Sequence, residues 1–176
     1  MLQSYDEVET EIVAALNKMV SSADWRSWST GRWTREIKDQ IGPIGEKRKW
    51  SVWAEKCRYS GNGEWLFDMT WLHYSKDNRL LEVPLVLESE WAPGDINDDF
   101  QKMLLARAHH RVMIFDRKTR DEAMEIVHDL VAQVEAFRGT QSNDRYLFAF
   151  WCSMSGKFDC HLHIAAGGKG GTFFSI

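Results

Sequence analysis

The sequence predicts a single α/β domain in which helices pack on a central mixed β-sheet as an αβα sandwich. Three observations support this fold class. Residues 7–20 have the apolar period of an amphipathic helix, residues 49–91 contain three strand-like segments, and the apolar segment 111–115 lies between two further helical periods. Strands that precede, separate and follow helices are typical of a mixed sheet. The length of 176 residues suits one domain, 1–176.

The N-terminal part of the chain is predicted to contain one clear helix. Within residues 7–20, apolar side chains recur every three or four positions, for example at Val8, Ile12 and Leu16, and charged side chains fill the positions between them. The following segment, 24–45, is rich in tryptophan, charge, glycine and proline and has no sustained period. We expect a short helix or a loop there, leading into the sheet.

Three strands are then predicted at about 49–59, 65–73 and 82–91. The first two are separated by Ser-Gly-Asn-Gly at 60–63, which is a strong hairpin signal, and the third is preceded by Lys-Asp-Asn at 76–78. Consecutive strands joined by short turns form an antiparallel meander. The run VPLVLES in the third strand indicates that this strand is buried.

The second half of the chain alternates helices and strands. An Asp-rich stretch supplies the N-terminus of a helix, since aspartate oxygens accept the free backbone amides and suit the helix dipole. The apolar RVMIF follows as a short buried strand, then a second helix and two closing strands. The glycine-rich end is expected to be a flexible tail from about residue 166. The predicted ranges are about 98–110, 111–115, 119–137, 146–153 and 158–164.

The amino-acid composition argues against some classes of function. The chain has 26 acidic and 22 basic side chains and a net charge of -4, which argues against coating nucleic acid by charge alone. A nuclease is not excluded, because a carboxylate site needs only local basic patches such as those at 47–58 and 117–120. No apolar run suits a membrane, the N-terminus lacks the pattern of a signal peptide, and three cysteines do not make a disulfide framework. We therefore expect a cytoplasmic protein with no membrane partner.

Acidic side chains end two neighbouring predicted strands. Glu88 and Glu90 are two positions apart, so they leave the same strand face, and Asp68 lies on the preceding strand. Buried carboxylates are costly unless they bind a cation or a hydrogen-bonded partner. Mg²⁺ or Mn²⁺ suits such a site, with Asp68 and Glu88 as ligands. Glu64, four residues before Asp68, is a further candidate ligand on the same predicted strand face; ordinary strand-face polarity is the alternative.

These residues are similar to the PD-(D/E)XK nuclease superfamily, whose pattern places an Asp on one strand and an acidic residue, any residue and a Lys on the next, followed by a helix and a buried strand. Asp68 in FDM matches the first ligand and Glu88 in ESE the second, while Glu90 stands where Lys is usual. The resemblance covers about residues 46–115. It implies a restriction-endonuclease-like αβα sandwich and hydrolysis of DNA phosphodiester bonds by an activated water.

Lys102 is the candidate that replaces the missing strand lysine. It lies on the helix after ESE, from which a long side chain can reach the strand end and polarise the attacking water. The alternative for Lys102 is a surface lysine, and the alternative for the Asp68–Glu88 pair is a structural ion pair. The alternative function is a catalytically inactive member of the fold that acts as a protein-binding or structural module, with a homodimer or another protein as its partner.

Other constellations give weaker signals. Cys160, His161 and His163, with Cys152 upstream, have zinc-type side chains but lack paired C-x₂-C spacing. A nucleophile built from Cys57 or Cys152 with His73, His109 or His110 has no flanking sequence that marks an activated thiol. The GGKGG segment lacks the helix and the Ser/Thr of a P-loop. The nine tryptophans are expected to form core and a partner surface, with base stacking as the alternative.

Overall fold

Seven strands form one mixed sheet in the computed structural model, which describes residues 4–21, 24–92, 94–167 and 170–175. Four α-helices accompany the sheet within these residues. None of these helices combines the length and the apolarity needed to cross a membrane. In chain order the elements are α1 (Glu7–Ser21), α2 (Thr30–Lys47), β1 (Ser51–Ala54), β2 (Met69–Tyr74), β3 (Leu80–Glu90), α3 (Ile96–Leu105), β4 (Ala108–Arg117), α4 (Arg120–Ala136), β5 (Ser142–Cys152), β6 (Lys157–Ala166) and β7 (Thr172–Ser175).

The strands lie side by side in sequence order, from β1 at one edge to β7 at the other. The β1–β2 and β2–β3 pairs are antiparallel, so the predicted meander is confirmed. The next two pairs, β3–β4 and β4–β5, are parallel, with α3 and α4 as their connections. The closing pairs, β5–β6 and β6–β7, are antiparallel again. The predicted α/β class with a central mixed sheet is therefore confirmed.

Each face of the sheet carries two helices and its own apolar core. Helices α1 and α2 pack with one set of strand side chains, which includes Leu85 and Leu87 of β3. Helices α3 and α4 pack with the opposite set, which includes Val86 and Phe115. Because side chains alternate along a strand, Glu88 follows Val86 onto the face that α3 covers.

Helix α2 was not predicted at its full length, and the expected short helix or loop at 24–45 is wrong. Ser29 caps the helix by accepting a hydrogen bond from the backbone N–H of Arg32, and the helix then runs through Pro43. Its buried side chains, such as Ile37 and Ile41, supply the packing that outweighs the cost of a proline. Gly45 lies against Trp71 of β2, where a Cβ atom would come within 2.9 Å of the indole ring.

Strands β1 and β2 are shorter than predicted. The first ends at Ala54, and a 3₁₀ turn over Ser60–Asn62 replaces the tight hairpin. The second begins at Met69 rather than at residue 65. The preceding segment includes Leu66, whose φ of 68° is left-handed and incompatible with a continuous strand.

Two further boundaries differ from the prediction. Helix α3 ends at Leu105 and β4 begins at Ala108, so His109 and His110 lie on a strand rather than on a helix. The expected C-terminal tail contains β7, because Thr172–Ser175 pairs with β6. Residues 168 and 169 of the predicted tail lie outside the described residues.

Candidate active site

Asp68 and Glu88 lie opposite each other, Glu88 on β3 and Asp68 directly before the first residue of β2 rather than on a strand as predicted. Met69 pairs with Leu87, which makes Asp68 and Glu88 the next facing positions at this end of the β2–β3 pair. The backbone N–H of Asp68 donates to Glu88 Oε2 at 3.3 Å, and the N–H of Ser89 donates to Asp68 Oδ2 at 3.0 Å. Backbone groups therefore fix both carboxylates, as the predicted strand register requires.

Lys102 reaches this pair from α3. Its Nζ lies 2.9 Å from Glu88 Oε1 and 2.7 Å from Asp99 Oδ1. The Glu88 side chain is only 7% exposed, whereas that of Lys102 is 51% exposed. Glu88 Oε1 is buried, and the Lys102 ammonium is close enough to donate a hydrogen bond to it. A surface ammonium thus offsets the charge of a buried carboxylate.

Burial dominates the ionisation of the two carboxylates. It raises the pKa of Glu88 from 4.5 to about 7; the charges of Asp68 and Asp99 add to the rise, while Lys102 opposes it. Burial also raises the pKa of Asp68, against the opposing effects of Lys38 and the Ser89 N–H. Glu88 is therefore partly protonated near neutral pH and can exchange its proton for a cation.

The pKa of Lys102 moves upward as well. Burial of the ammonium opposes this rise, but the carboxylates of Asp99 and Glu88 outweigh burial. The pKa values of Glu88 and Lys102 both rise, and the difference in exposure explains why. The Glu88 side chain is only 7% exposed, whereas the Lys102 side chain remains 51% exposed and keeps much of its hydration. We therefore assign a permanent positive charge to Lys102 at the mouth of the site.

Lys38 is a site residue that the sequence analysis missed. It comes from α2, its side chain is only 3% exposed, and its Nζ lies 3.7 Å from Asp68 Oδ1. A buried lysine requires a partner, and Asp68 supplies one. The available signal was a lysine beside the apolar period of Ile37 and Ile41, but it becomes visible only when residues 30–47 are recognised as a helix.

The other two acidic candidates are placed differently. Glu90 is half-buried at the end of β3, and its Oε1 accepts a hydrogen bond from the backbone N–H of Ala92. It therefore turns toward its own backbone. Glu64 is exposed and precedes β2 by five positions, so the strand face that it was expected to share with Asp68 is not formed. The site that the structure assembles consists of Asp68, Glu88, Lys102, Asp99 and Lys38.

A different group has the spacing of metal ligands. Among the described residues, Asp6, Glu9 and His110 form the one set of three whose ligand atoms all lie within 4.8 Å of one another; Asp68, Glu88 and Glu90 do not form such a set. This group could hold a metal ion. Its members are also tied internally: His110 Nε2 lies 2.7 Å from Asp6 Oδ2, and Arg145 pairs with Glu9.

The contacts within this group depend on the charges of its members. His110 Nδ1 faces the carbonyl of Pro84 at 2.9 Å, so both ring nitrogens face oxygen acceptors and both can donate only when the ring is protonated. Burial opposes that charge, but Asp6 raises the pKa of His110. Burial also opposes ionisation of Asp6, yet His110 and the Glu9 N–H lower the pKa of Asp6 to about 2. A metal ion would have to displace this proton and compete with Arg145.

The competing cysteine constellations are not assembled within the described residues. Cys160 belongs to the core beneath α1 and α2, whereas His161 stacks on Phe150 of the opposite core. No group of three zinc-type ligands forms around His161 and His163 in the described ranges. Burial raises the pKa of the Cys57 and Cys160 thiols, the opposite of nucleophile activation.

An apolar cleft of about 400 Å³ adjoins Lys102. Its walls come from the segment before β2 and from the end of α3, where Leu66 and Leu105 are 72% and 73% exposed. Trp65 and Arg107 also line it. The candidate site is therefore open to a large substrate on the side of Lys102.

No protein-family model matches the chain, and no curated protein or solved structure matches it either.

Proposed function

We propose that this protein is a divalent-metal-dependent nuclease that hydrolyses DNA phosphodiester bonds. The observation that carries the proposal is the junction of Asp68, Glu88 and Lys102, in which two facing strand carboxylates meet a helix ammonium. The order of two neighbouring strands, β2 and β3, a helix, α3, and a further buried strand, β4, is also the order that the PD-(D/E)XK resemblance implies. Both features support the interpretation of the fold as restriction-endonuclease-like.

The carboxylates suit a hard divalent cation. Mg²⁺ is typically held by one or two protein carboxylates, with waters and substrate phosphate completing its octahedron. Glu88 Oε1 is buried and its close partner is the Lys102 ammonium at 2.9 Å, so a cation that binds this oxygen would displace that ammonium from it. Asp68 Oδ1, which lies 3.7 Å from Lys38 Nζ, is a second candidate ligand oxygen. A bound Mg²⁺ or Mn²⁺ would lower the pKa of a ligated water and neutralise charge on the phosphate.

The protein side chains then have separate tasks. Asp68 and Glu88 hold the cation at the end of β2 and β3, and Lys38 offsets the charge of Asp68 from inside the core. Lys102 is the exposed cation, placed to orient the attacking water and to stabilise negative charge at phosphorus. Lys102 thus supplies from a helix the charge that Glu90 does not supply from the strand.

Cleavage assays test this proposal. Wild-type protein is incubated with single- and double-stranded DNA and with RNA, in Mg²⁺, Mn²⁺ or EDTA. We expect cleavage of DNA with metal only, and a loss of ~10²-fold or more in Glu88→Ala. Glu82→Ala is the matched control, because Glu82 lies on the same strand and pairs with His73 instead. A wild type that cleaves nothing, or an active Glu88→Ala protein, would refute the proposal.

One observation favours the inactive-module alternative. The Lys102 ammonium already pairs with Asp99 and Glu88. The neighbouring cleft exposes Leu66 and Leu105, and exposed apolar side chains of this kind are typical of a protein-binding surface. In that case no nucleic acid is cleaved with either metal. Substitution of Leu105 by Asp then disrupts binding of a protein partner or of a second copy, whereas Glu88→Ala leaves that binding intact.

A further inference from the structure

Five tryptophans surround a second pocket, which has a volume of about 230 Å³. Trp33 and Trp151 are buried at its floor, with ring centroids 5.0 Å apart. Trp25, Trp28 and Trp91 line the pocket and are only partly buried. These three rings pack against the core and still leave part of their surface exposed around one cavity.

Trp91 links the pocket in sequence to the proposed active site. Trp91 directly follows β3, three residues after Glu88. Its indole N–H faces the hydroxyls of Thr34 and Ser89, each at 3.1 Å, and these two contacts fix the ring. Ser89 in turn donates its backbone N–H to Asp68. The ring and the carboxylates are therefore held by one short stretch of chain.

The charges at the pocket suit a nucleotide. The exposed guanidinium of Arg26 lies 4.6 Å from the centre of the Trp25 ring, and that of Arg32 lies 4.9 Å from the centre of the Trp28 ring. Arg26 lines the pocket, and Arg32, which also lies 3.6 Å from Glu36, is exposed beside it, so a phosphate bound near the pocket can pair with either guanidinium. Asp116 is an acidic side chain in the lining, and a carboxylate can accept a hydrogen bond from the amino group of a base.

We propose that this pocket binds an unpaired base of the polynucleotide, stacked among Trp25, Trp28 and Trp91, while Arg26 and Arg32 contact the adjoining phosphates. The inference rests on the proposed nuclease function and deepens it by naming a single-stranded or locally unpaired substrate. Aromatic stacking with a cationic rim is the general mode of single-strand binding.

Fluorescence anisotropy in EDTA tests the inference without cleavage. The probes are a fluorescein-labelled cytosine 12-mer and the same backbone with abasic residues, which keeps the phosphates and removes the bases. We expect wild type to bind the cytosine oligonucleotide at least ~5-fold more tightly than the abasic one, since one stacked base contributes about that factor or more. Trp28→Ala should lose this preference.

Trp50→Ala is the matched control, because Trp50 is also partly buried and also lies near an arginine, Arg48, but does not line the pocket. It should retain the base preference. Equal wild-type affinity for the two oligonucleotides, or a preference that survives in Trp28→Ala, overturns the inference. Selective binding of a proline-rich peptide through Trp28, with no base preference, overturns it as well. The comparison of oligonucleotides in wild type does not depend on the folding of any variant.

The two proposals fail differently. Base-dependent binding without metal-dependent cleavage retains the stacking pocket and rejects the nuclease. Metal-dependent cleavage without base-dependent binding retains the nuclease and rejects the stacking pocket.

Discussion

The ammonium of Lys102 lies 2.9 Å from the buried Glu88 Oε1, although the two residues come from a surface helix and a central strand. Asp99, one helical turn before Lys102, lies 2.7 Å from the same ammonium and holds it over the strand end. Glu90, at the strand position where the family pattern has Lys, bonds to the backbone of Ala92. The exposed positive charge at this site therefore comes from α3, and the buried one, Lys38, comes from α2.

The first prediction concerns that charge. Lys102→Ala should reduce metal-dependent cleavage by ~10²-fold or more, because one preorganised electrostatic donor typically contributes that much. The melting temperature at pH 7 and below should change little, since Glu88, whose pKa is raised to about 7, can take up a proton when the ammonium is removed, and alanine suits a helix. Lys47→Ala is the control, as Lys47 also forms an exposed ion pair, with Glu11 at 2.9 Å. A Lys102→Ala enzyme as fast as wild type would show that Lys102 has no part in catalysis.

The second prediction tests whether a strand lysine can replace the helix lysine. Glu90→Lys puts a lysine where the PD-(D/E)XK pattern has one, so under the proposed function it should partly rescue the cleavage rate of Lys102→Ala. The rate of the double variant relative to Lys102→Ala is the measurement. A double variant slower than Lys102→Ala would indicate that a lysine at position 90 repels the metal instead of assisting the water.

The third prediction concerns Glu88 and pH. Its pKa is raised from 4.5 in an unfolded chain to about 7 in the fold, so the folded state binds more protons between these values. Stability should therefore fall as pH rises from 4.5 to 7, by up to ~3 kcal/mol without metal. Glu88→Gln should raise the urea midpoint at pH 8 and have little effect at pH 4.5. An equal effect at both pH values would contradict the pKa account.

The fourth prediction isolates the buried pair of Lys38 and Asp68. Removing one partner leaves a buried charge without its partner, so Asp68→Asn and Lys38→Met should not be additive. We expect a coupling free energy of ~1–3 kcal/mol in a double-mutant cycle measured by urea unfolding. Additive effects within ~0.5 kcal/mol would show that the 3.7 Å contact contributes no coupling.

The fifth prediction concerns His110, whose pKa is raised by Asp6 against the effect of burial. Protonated His110 stabilises the fold. This stabilisation is complete below the pKa of ~6.5 that the residue has in the unfolded chain, and it is lost as pH rises through the higher pKa of the folded state. The free energy of unfolding should fall less between pH 6 and pH 9 in His110→Gln than in wild type. His109→Gln, at an exposed neighbouring position, should behave like wild type. An identical fall in His110→Gln and wild type would refute the assignment.

The sequence predicted the strand part of the candidate site because strand geometry is local. An alternation with period two fixes which face Glu88 leaves, and the neighbouring strand brings Asp68 opposite it. Lys102 could be proposed because its helix follows the same strand directly. For these residues, adjacency in sequence and adjacency in space coincide.

The helix part was harder to predict for a physical reason. Pro43 and several glycines suppress helix propensity in 30–47, while the packing that stabilises α2 involves distant partners such as Trp71. If residues 30–47 are not recognised as a helix, the sequence does not predict which way the Lys38 side chain points. Glu90 also departed from expectation, because the chain leaves the strand at Trp91 and lets the carboxylate turn back to Ala92. Tertiary contacts decide the position of Lys38, and the local turn after β3 decides that of Glu90.

Mn²⁺ binding, measured by calorimetry at pH 7 in buffers of different ionisation enthalpy, tests the central claim most directly. With the pKa of Glu88 at about 7, wild type should bind Mn²⁺ and release about half a proton, because the ion displaces the proton of Glu88. Binding should be lost in Glu88→Gln and retained in His110→Gln. The opposite result, with binding retained in Glu88→Gln and lost in His110→Gln, would place the metal in the Asp6, Glu9 and His110 group and contradict the proposed site.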